Sequence, residues 1–205
     1  MNEARINEKA DFLIKKSKKA GADSVDVLYV ENTNIDIGSR LKRIEKLERS
    51  ESNDMGLRFI KNKRQVLVSS NDLNKKSLEE LVFKASKMVK AIPKNPYCSI
   101  ATKKDMIKKV PDLKIFENKE PSIKSLKDKV IEAEKAGLNV KGVTNSEGAE
   151  IGWNKSKIHL FNSNGLNVSY QSSGNIIYAV LIAGMGTAME REYEFASSVF
   201  EKDLT

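Results

Sequence analysis

The sequence is short of the side chains from which most catalytic and metal sites are built. It has one histidine, His159, and one cysteine, Cys98, in 205 residues. A lone histidine has no second imidazole with which to share a metal, and a lone cysteine excludes an internal disulfide and fits a reducing cytoplasm. Neither H-E-x-x-H, nor G-x-x-x-x-G-K-[ST], nor G-x-S-x-G is present, so the common signatures of zinc hydrolysis, phosphate-loop binding and serine catalysis are missing. Long apolar runs are missing too. The run "IIYAVLIAG" at 176–184 is far below the roughly twenty residues of a membrane-spanning helix and reads as a buried strand, which argues against a membrane protein. The N-terminus "MNEARINEKADFLIKK" scatters acids among its bases and shows no apolar stretch ending in small residues, so it does not read as a secretory signal.

Arginine is scarce as well, with seven against twenty-nine lysines behind the formal net charge of +8. Proteins that read base edges favour arginine for its bidentate fork, and RNA binders interleave aromatic residues with basic ones. The densest basic cluster, "KKDMIKK" at 103–109, is interrupted by Asp105, Met106 and Ile107. It reads as a solvated face. The composition argues against nucleic acid as a partner, with a polyanion-binding module kept as the alternative.

What is present is a clear order of elements. Ile6, Ala10, Leu13 and Ile14 keep helical spacing up to Gly21, predicting a helix over 2–20. Alternation in "SVDVLYVE", "TNIDIGSRL", "RIEKLERSE", "LRFIKN" and "QVLVSS", with "SNDMG" as a turn, predicts an antiparallel meander of four or five strands. Leu78, Leu81, Val82, Ala85, Met88, Val89 and Ile92 line one face of a second helix, with Asn74 as N-cap and Ser77 and Glu80 as a capping box. Residues 93–120 carry Pro93, Pro96 and Pro111 and read as a loop or linker. Pro121, Ile123, Leu126, Val130, Ala133 and a closing Gly137 mark a third helix, after which strands return from 139 to about 186.

From Leu160 to Met189 there is no charged residue. Within that stretch "SKIHLFN" and "LNVSY" read as a hairpin closed by Asn164-Gly165 in a type I′ turn. The fold class is α+β: an antiparallel meander with packed helices, then a second β-rich segment that opens an incomplete domain. The expected layout is an α+β domain over 1–92, a linker over 93–120, and a helix with antiparallel strands over 121–205.

The remaining chemical candidates are weak. Strand alternation turns His159 away from Ile158 and Leu160, as a structural or exposed side chain. Cys98 follows Pro96 and Tyr97 in a loop without a neighbouring histidine. Glu79 with Glu80, and Glu190 with Glu192, sit among bases as solvent-facing charges. The glycines of "AGMGTAM" at 183–189 lack the Lys-Ser/Thr of a phosphate loop and read as strand-end turns. The sequons at Asn154 and Asn167 carry no meaning in a cytoplasmic protein. No catalytic, cofactor-binding or metal-ligating residue is expected in this chain.

One resemblance runs through nearly the whole length. Arg40 and Glu45, Gly56-x-Arg58, Ser70-x-Asp72-Leu73, Asn162-Ser163-x-Gly165 and Met189-Glu190-Arg191 stand in the order and spacing of the TldD/PmbA family, and the chain resembles its PmbA (TldE) branch. The resemblance implies a cytosolic metalloprotease complex in which a TldD-like subunit pairs with a PmbA-like one to degrade or trim extended peptides and unfolded proteins. It implies zinc held by a His-Glu-x-x-x-His motif in the C-terminal half of the TldD-type partner, with no such ligands in the PmbA branch. Family members are about twice this length. The chain is therefore expected to be the N-terminal portion of a PmbA-like subunit, contributing substrate-channel and dimerisation surface through a heterodimer or homo-oligomer. The alternative to that role is a non-enzymatic scaffold remnant.

Overall fold

The computed structural model describes residues 1–107 and 109–204, so Lys108 of the basic cluster lies outside the described residues. Among the described residues three α-helices, α1 (Glu3–Lys19), α2 (Lys75–Met88) and α3 (Ile123–Leu138), accompany six strands: β1 (Ser24–Arg40), β2 (Arg43–Lys61), β3 (Arg64–Ser70), β4 (Val143–Asn162), β5 (Asn167–Ala183) and β6 (Glu190–Ser198). The strand order is β3-β2-β1-β4-β5-β6. This is the α+β class read from the sequence.

The expected four or five strands of the first meander are three. "SVDVLYVE" and "TNIDIGSRL" are one strand of 17 residues, and "RIEKLERSE" continues through "SNDMG" into "LRFIK" as one strand of 19 residues. The polar cluster Ser52–Asp54 carries turn-forming residues, yet ladder pairing to β1 overrides their local preference. The tight type I′ turns lie elsewhere, at Leu41-Lys42 (φ 48° and 65°) and Asn62-Lys63 (φ 51° and 60°). Both join adjacent strands through two residues with positive φ, the geometry that matches strand twist.

The hairpin at Asn162–Asn167 is present, but its turn is not type I′. Ser163 and Asn164 have no positive φ; Gly165 does, at 101°. The Gly165 N–H donates to the Asn162 carbonyl and the Asn162 N–H to the Leu166 carbonyl, both at 3.1 Å. That is a three-residue loop with glycine in the left-handed position. The Asn162 carboxamide oxygen accepts the Asn164 and Leu166 N–H groups at 2.8 and 3.1 Å, so a side chain replaces the second left-handed residue as the organiser.

The described chain forms two compact units. The first comprises Met1–Glu31, Ser52–Pro111 and Lys157–Tyr170. Ile6, Ala10 and Leu13 of α1, with Leu78, Leu81, Val82 and Ala85 of α2, cover Val25, Val27, Tyr29, Met55, Leu57 and Phe59, all essentially inaccessible to solvent. Each Val, Leu, Ile, Met or Phe among them contributes roughly 1.5–3 kcal/mol on burial. Asn74 caps α2 as expected by accepting the Ser77 N–H at 2.9 Å, whereas the Ser77 hydroxyl donates to Asp72 instead of joining Glu80 in a capping box. Asp72 thus anchors the entry to α2.

The second unit comprises Asn32–Glu51, Asp112–Ser156 and Gln171–Thr205. Leu126 and Val130 of α3 cover Ile35, Ile37, Ala149, Ile151 and Trp153. Ser122 caps α3 by accepting the Ser125 N–H, and Pro121, expected in the first helical turn, lies just before that cap. Gly137 lies inside this helix rather than closing it, and a Cβ there would stand 2.1 Å from Leu181 Cδ1. One turn past Val130 the buried stripe ends in a charge, Glu134, which is fully inaccessible.

Candidate functional site

A groove of about 940 Å³ lies within the second unit. Its floor is the run that the sequence presents as uncharged. Residues 177–183 of β5 are half-buried and Ile176 is exposed, so the apolar run is not a buried strand. The period-2 alternation puts Ile177, Ala179, Leu181 and Ala183 on the face shared with α3. Ala133 and Gly137 form the helical wall, and the missing side chain at Gly137 is what lets β5 approach the helix there. The opposite lip is β6. Its register pairs Glu190 with Ala183, Glu192 with Leu181 and Glu194 with Ala179, so three carboxylates follow the apolar floor in a row.

Two of those glutamates also act on their own backbone. Glu192 accepts the Tyr193 N–H at 3.0 Å and Glu194 the Phe195 N–H at 3.1 Å. These N–H groups belong to an edge strand, so Glu192, exposed as expected of it, and Glu194 occupy donors that a further strand would use. On the reverse face Ile176, Tyr193 and Phe195 are 44%, 58% and 56% exposed. Beside them the Tyr178 phenol is pushed above its ordinary value, first by burial and then by the neighbouring carboxylates of Glu150 and Asp36.

Glu134 is the feature that sequence reading missed. Its carboxylate accepts the Leu41 N–H at 2.7 Å, the Lys42 N–H at 2.8 Å, the Ser146 hydroxyl at 2.6 Å and the Ser39 hydroxyl at 3.2 Å. Burial pulls its pKa up, but these donors outweigh burial and hold it below the usual carboxylate range. It binds the two left-handed residues of the β1–β2 turn to α3. Only its spacing after Leu126 and Val130 hinted at burial.

The remaining candidates carry no catalytic arrangement. In the first unit His159 is fully buried, with Tyr29 edge-on and Phe161 stacked, each at 6.1 Å between ring centroids. Neither ring nitrogen meets a partner among the described residues, and burial first, then the Lys157 charge, lower its pKa. An imidazole without a partner cannot relay a proton to a nucleophile. The Tyr29 hydroxyl donates to Glu31 at 2.7 Å, and Glu31 also takes the N-terminal ammonium at 2.8 Å. Cys98 is buried beside Ile60 and Ile100 and its thiol donates to Gln65 at 3.3 Å, with no base at hand. Glu79 pairs with Lys16. Gly184 and Gly186 take positive φ in the turn between β5 and β6. Among the described residues no group of three or more His, Cys, Asp or Glu side chains is placed to hold a metal, and no helix is long and apolar enough to cross a membrane.

The residues that carried the family resemblance are chiefly fasteners of turns and strands. Arg40 reaches the Ser146 carbonyl, Arg58 pairs with Asp26, and Arg191 pairs with Glu147. Ser163 joins the start of β1 by accepting the Val25 N–H and donating its own to the Val25 carbonyl. Comparison with known proteins places them in context. The sequence matches the family descriptions "PmbA/TldA metallopeptidase domain 1" over residues 25–89 and "PmbA/TldA metallopeptidase central domain" over residues 116–205. It is 24% identical over 197 residues to a metalloprotease PmbA homolog of Haemophilus influenzae, covering 96% of this chain and 44% of that protein. The fold is similar to crystal structures from Bacteroides thetaiotaomicron (TM-score 0.83, 22% identity, all of this chain and 47% of that one) and of TldE from Thermococcus kodakarensis (TM-score 0.77, 20% identity, 96% of this chain and 44% of that one). The chain spans under half the length of each of these relatives.

Proposed function

The chain belongs to the PmbA/TldD metallopeptidase family, and we propose that it is a non-catalytic part of a PmbA-like subunit that holds peptide substrate and contributes dimerisation surface in a cytoplasmic protease complex. The observation that carries this reading is the groove between α3, β5 and β6. An apolar floor takes side chains of an unfolded segment without demanding a sequence, and three aligned glutamates favour segments carrying lysine or arginine beside their apolar residues. The zinc that the family resemblance assigns to a TldD-type partner finds no fitting ligand set among the described residues, since His159 is enclosed by aromatic rings. Following the family resemblance, peptide-bond cleavage is assigned to that partner, and this chain to binding and presentation.

The test is fluorescence anisotropy with a labelled, unstructured peptide in which leucine alternates with lysine. Saturable binding is expected, weakened by Ala183→Lys, which places a cation and bulk on the floor, and unaffected by Leu67→Lys on a solvent-exposed position of β3. Equal binding by parent and Ala183→Lys would overturn the reading. Added TldD-type subunit should confer hydrolysis of the same peptide.

A further inference from the structure

The two outer edges of the second unit are not alike. On β6 Glu192 and Glu194 already occupy outward N–H groups. On β2 the ladder to β3 covers only Met55–Lys61, and β1 lies on its other side. Among the described residues no strand pairs with the outer edge of β2 before Met55. Arg43 and Glu45–Asp54 are all exposed, with Ile44 alone half-buried. Leu47, at the centre of the stretch "RIEKLERSE", is half exposed. An extended strand with free backbone donors and acceptors and a central leucine is a template for another strand.

We propose that this edge, Arg43–Glu51, pairs antiparallel with the same edge of a second copy of the chain about a two-fold axis at Leu47. The charges select that occupant and that register. In a two-fold antiparallel ladder a residue on the axis faces its own copy, because directly opposed residues share a face of the sheet. With Leu47 on the axis, Lys46 faces Glu48 of the partner subunit, Glu45 faces Arg49 of the partner subunit, and Arg43 faces Glu51 of the partner subunit. By symmetry every pair occurs twice, and all are opposite in sign. Shifting the axis to Lys46 sets lysine on lysine and Arg43 on Arg49. Shifting it to Glu48 sets glutamate on glutamate and Glu45 on Glu51. Like charges directly opposed destabilise a strand pair, so one register is accepted and its neighbours are refused. Within the chain Arg49 also bonds Glu51 and Glu120, so its pair with Glu45 of the partner subunit shares the guanidinium with them. The inference stands independently of peptide binding in the groove.

Sedimentation velocity over a concentration series, at low and high salt, tests it on the full chain. A monomer–dimer equilibrium weakened by salt is expected. Lys46→Glu and Glu48→Lys each create two like-charge pairs and should weaken dimerisation by about tenfold or more. The double variant Lys46→Glu/Glu48→Lys should restore it, and so should an equimolar mixture of the two single variants, which only charge pairing across this axis predicts. Circular dichroism confirms that each variant is folded; the Lys46–Glu150 pair lost in the first is solvent-exposed and contributes little. Leu47→Cys should form an intermolecular disulfide under mild oxidation, while the buried Cys98 does not. A monomer at all concentrations with no Leu47→Cys cross-link would overturn the proposal. So would a dimer that tolerates both charge reversals, since another surface would then be holding it.

Discussion

Removing the acceptor at Glu134 should cost the protein a large part of its stability. The carboxylate takes two backbone N–H groups and two hydroxyls in a site closed to water. In Glu134→Ala the Leu41 and Lys42 donors lose their partner, each at about 1–3 kcal/mol, and relief from burying a charge offsets part of this. The net loss is about 3–4 kcal/mol, which for a chain of this length lowers the melting midpoint by roughly 6–16 °C. Glu134→Gln keeps the volume but turns one acceptor into a donor facing donors, and should lose most of the same amount. The pH dependence has a definite sign. The folded-state pKa lies below the unfolded value of about 4.3, so the contribution is full above that value and disappears as pH falls through the folded pKa. Thermal melts of parent and Glu134→Gln should therefore diverge at neutral pH and converge under strongly acid conditions. A Glu134→Gln midpoint equal to that of the parent at pH 7 would show that the turn does not need the charge.

Three further outcomes follow from positions described above. Lys42→Gly relieves a lysine held at φ 65°, and urea denaturation should show a gain of roughly 0.5–1 kcal/mol after the unfolded-state cost of glycine. Gly165→Val faces open space but not a permitted backbone, with φ at 101°, so the denaturation midpoint should fall by an amount equivalent to about 1–3 kcal/mol. His159 is held neutral and its folded pKa is lowered. Its stability contribution is full above the unfolded value of about 6.5 and declines by about 1.4 kcal/mol per pH unit below it. His159→Phe, flat enough for the slot beside Tyr29 and Phe161, should remove that slope in a pH series of melts.

The helices were legible because each buries a stripe at helical spacing and starts at a residue able to cap it. Strand boundaries were less so. Ser52–Asp54 look like a turn, and nothing local records that β1 offers an unbroken ladder beside them. Turn chemistry misled in the reverse direction as well: Asn164-Gly165 has the residues of a type I′ turn, yet Asn162 organises that loop, while Leu41-Lys42 has none of them and takes the conformation because Glu134 holds it. The groove was half visible. The uncharged run at β5 marked its floor, but the acidic lip depends on pairing between Glu190–Glu194 and β5, a relation that no local pattern states. Glu134 was hidden because a glutamate on a lysine-rich helix reads as solvated unless its distant donors are known.

The glutamates of β6 bear on how such a sheet coexists with the peptides it is proposed to handle. A ladder of donors is indiscriminate, and a protein that collects unfolded segments risks being extended by every one of them. Glu192 and Glu194 act as resident competitors, tethered one bond pattern away from the donors they occupy. An incoming strand, present in solution at micromolar levels, must displace ligands whose effective concentration is set by covalent attachment and reaches millimolar or more. In the proposed peptide-holding role, selectivity would thereby shift from the backbone, which every peptide shares, to the side chains that the apolar floor can hold.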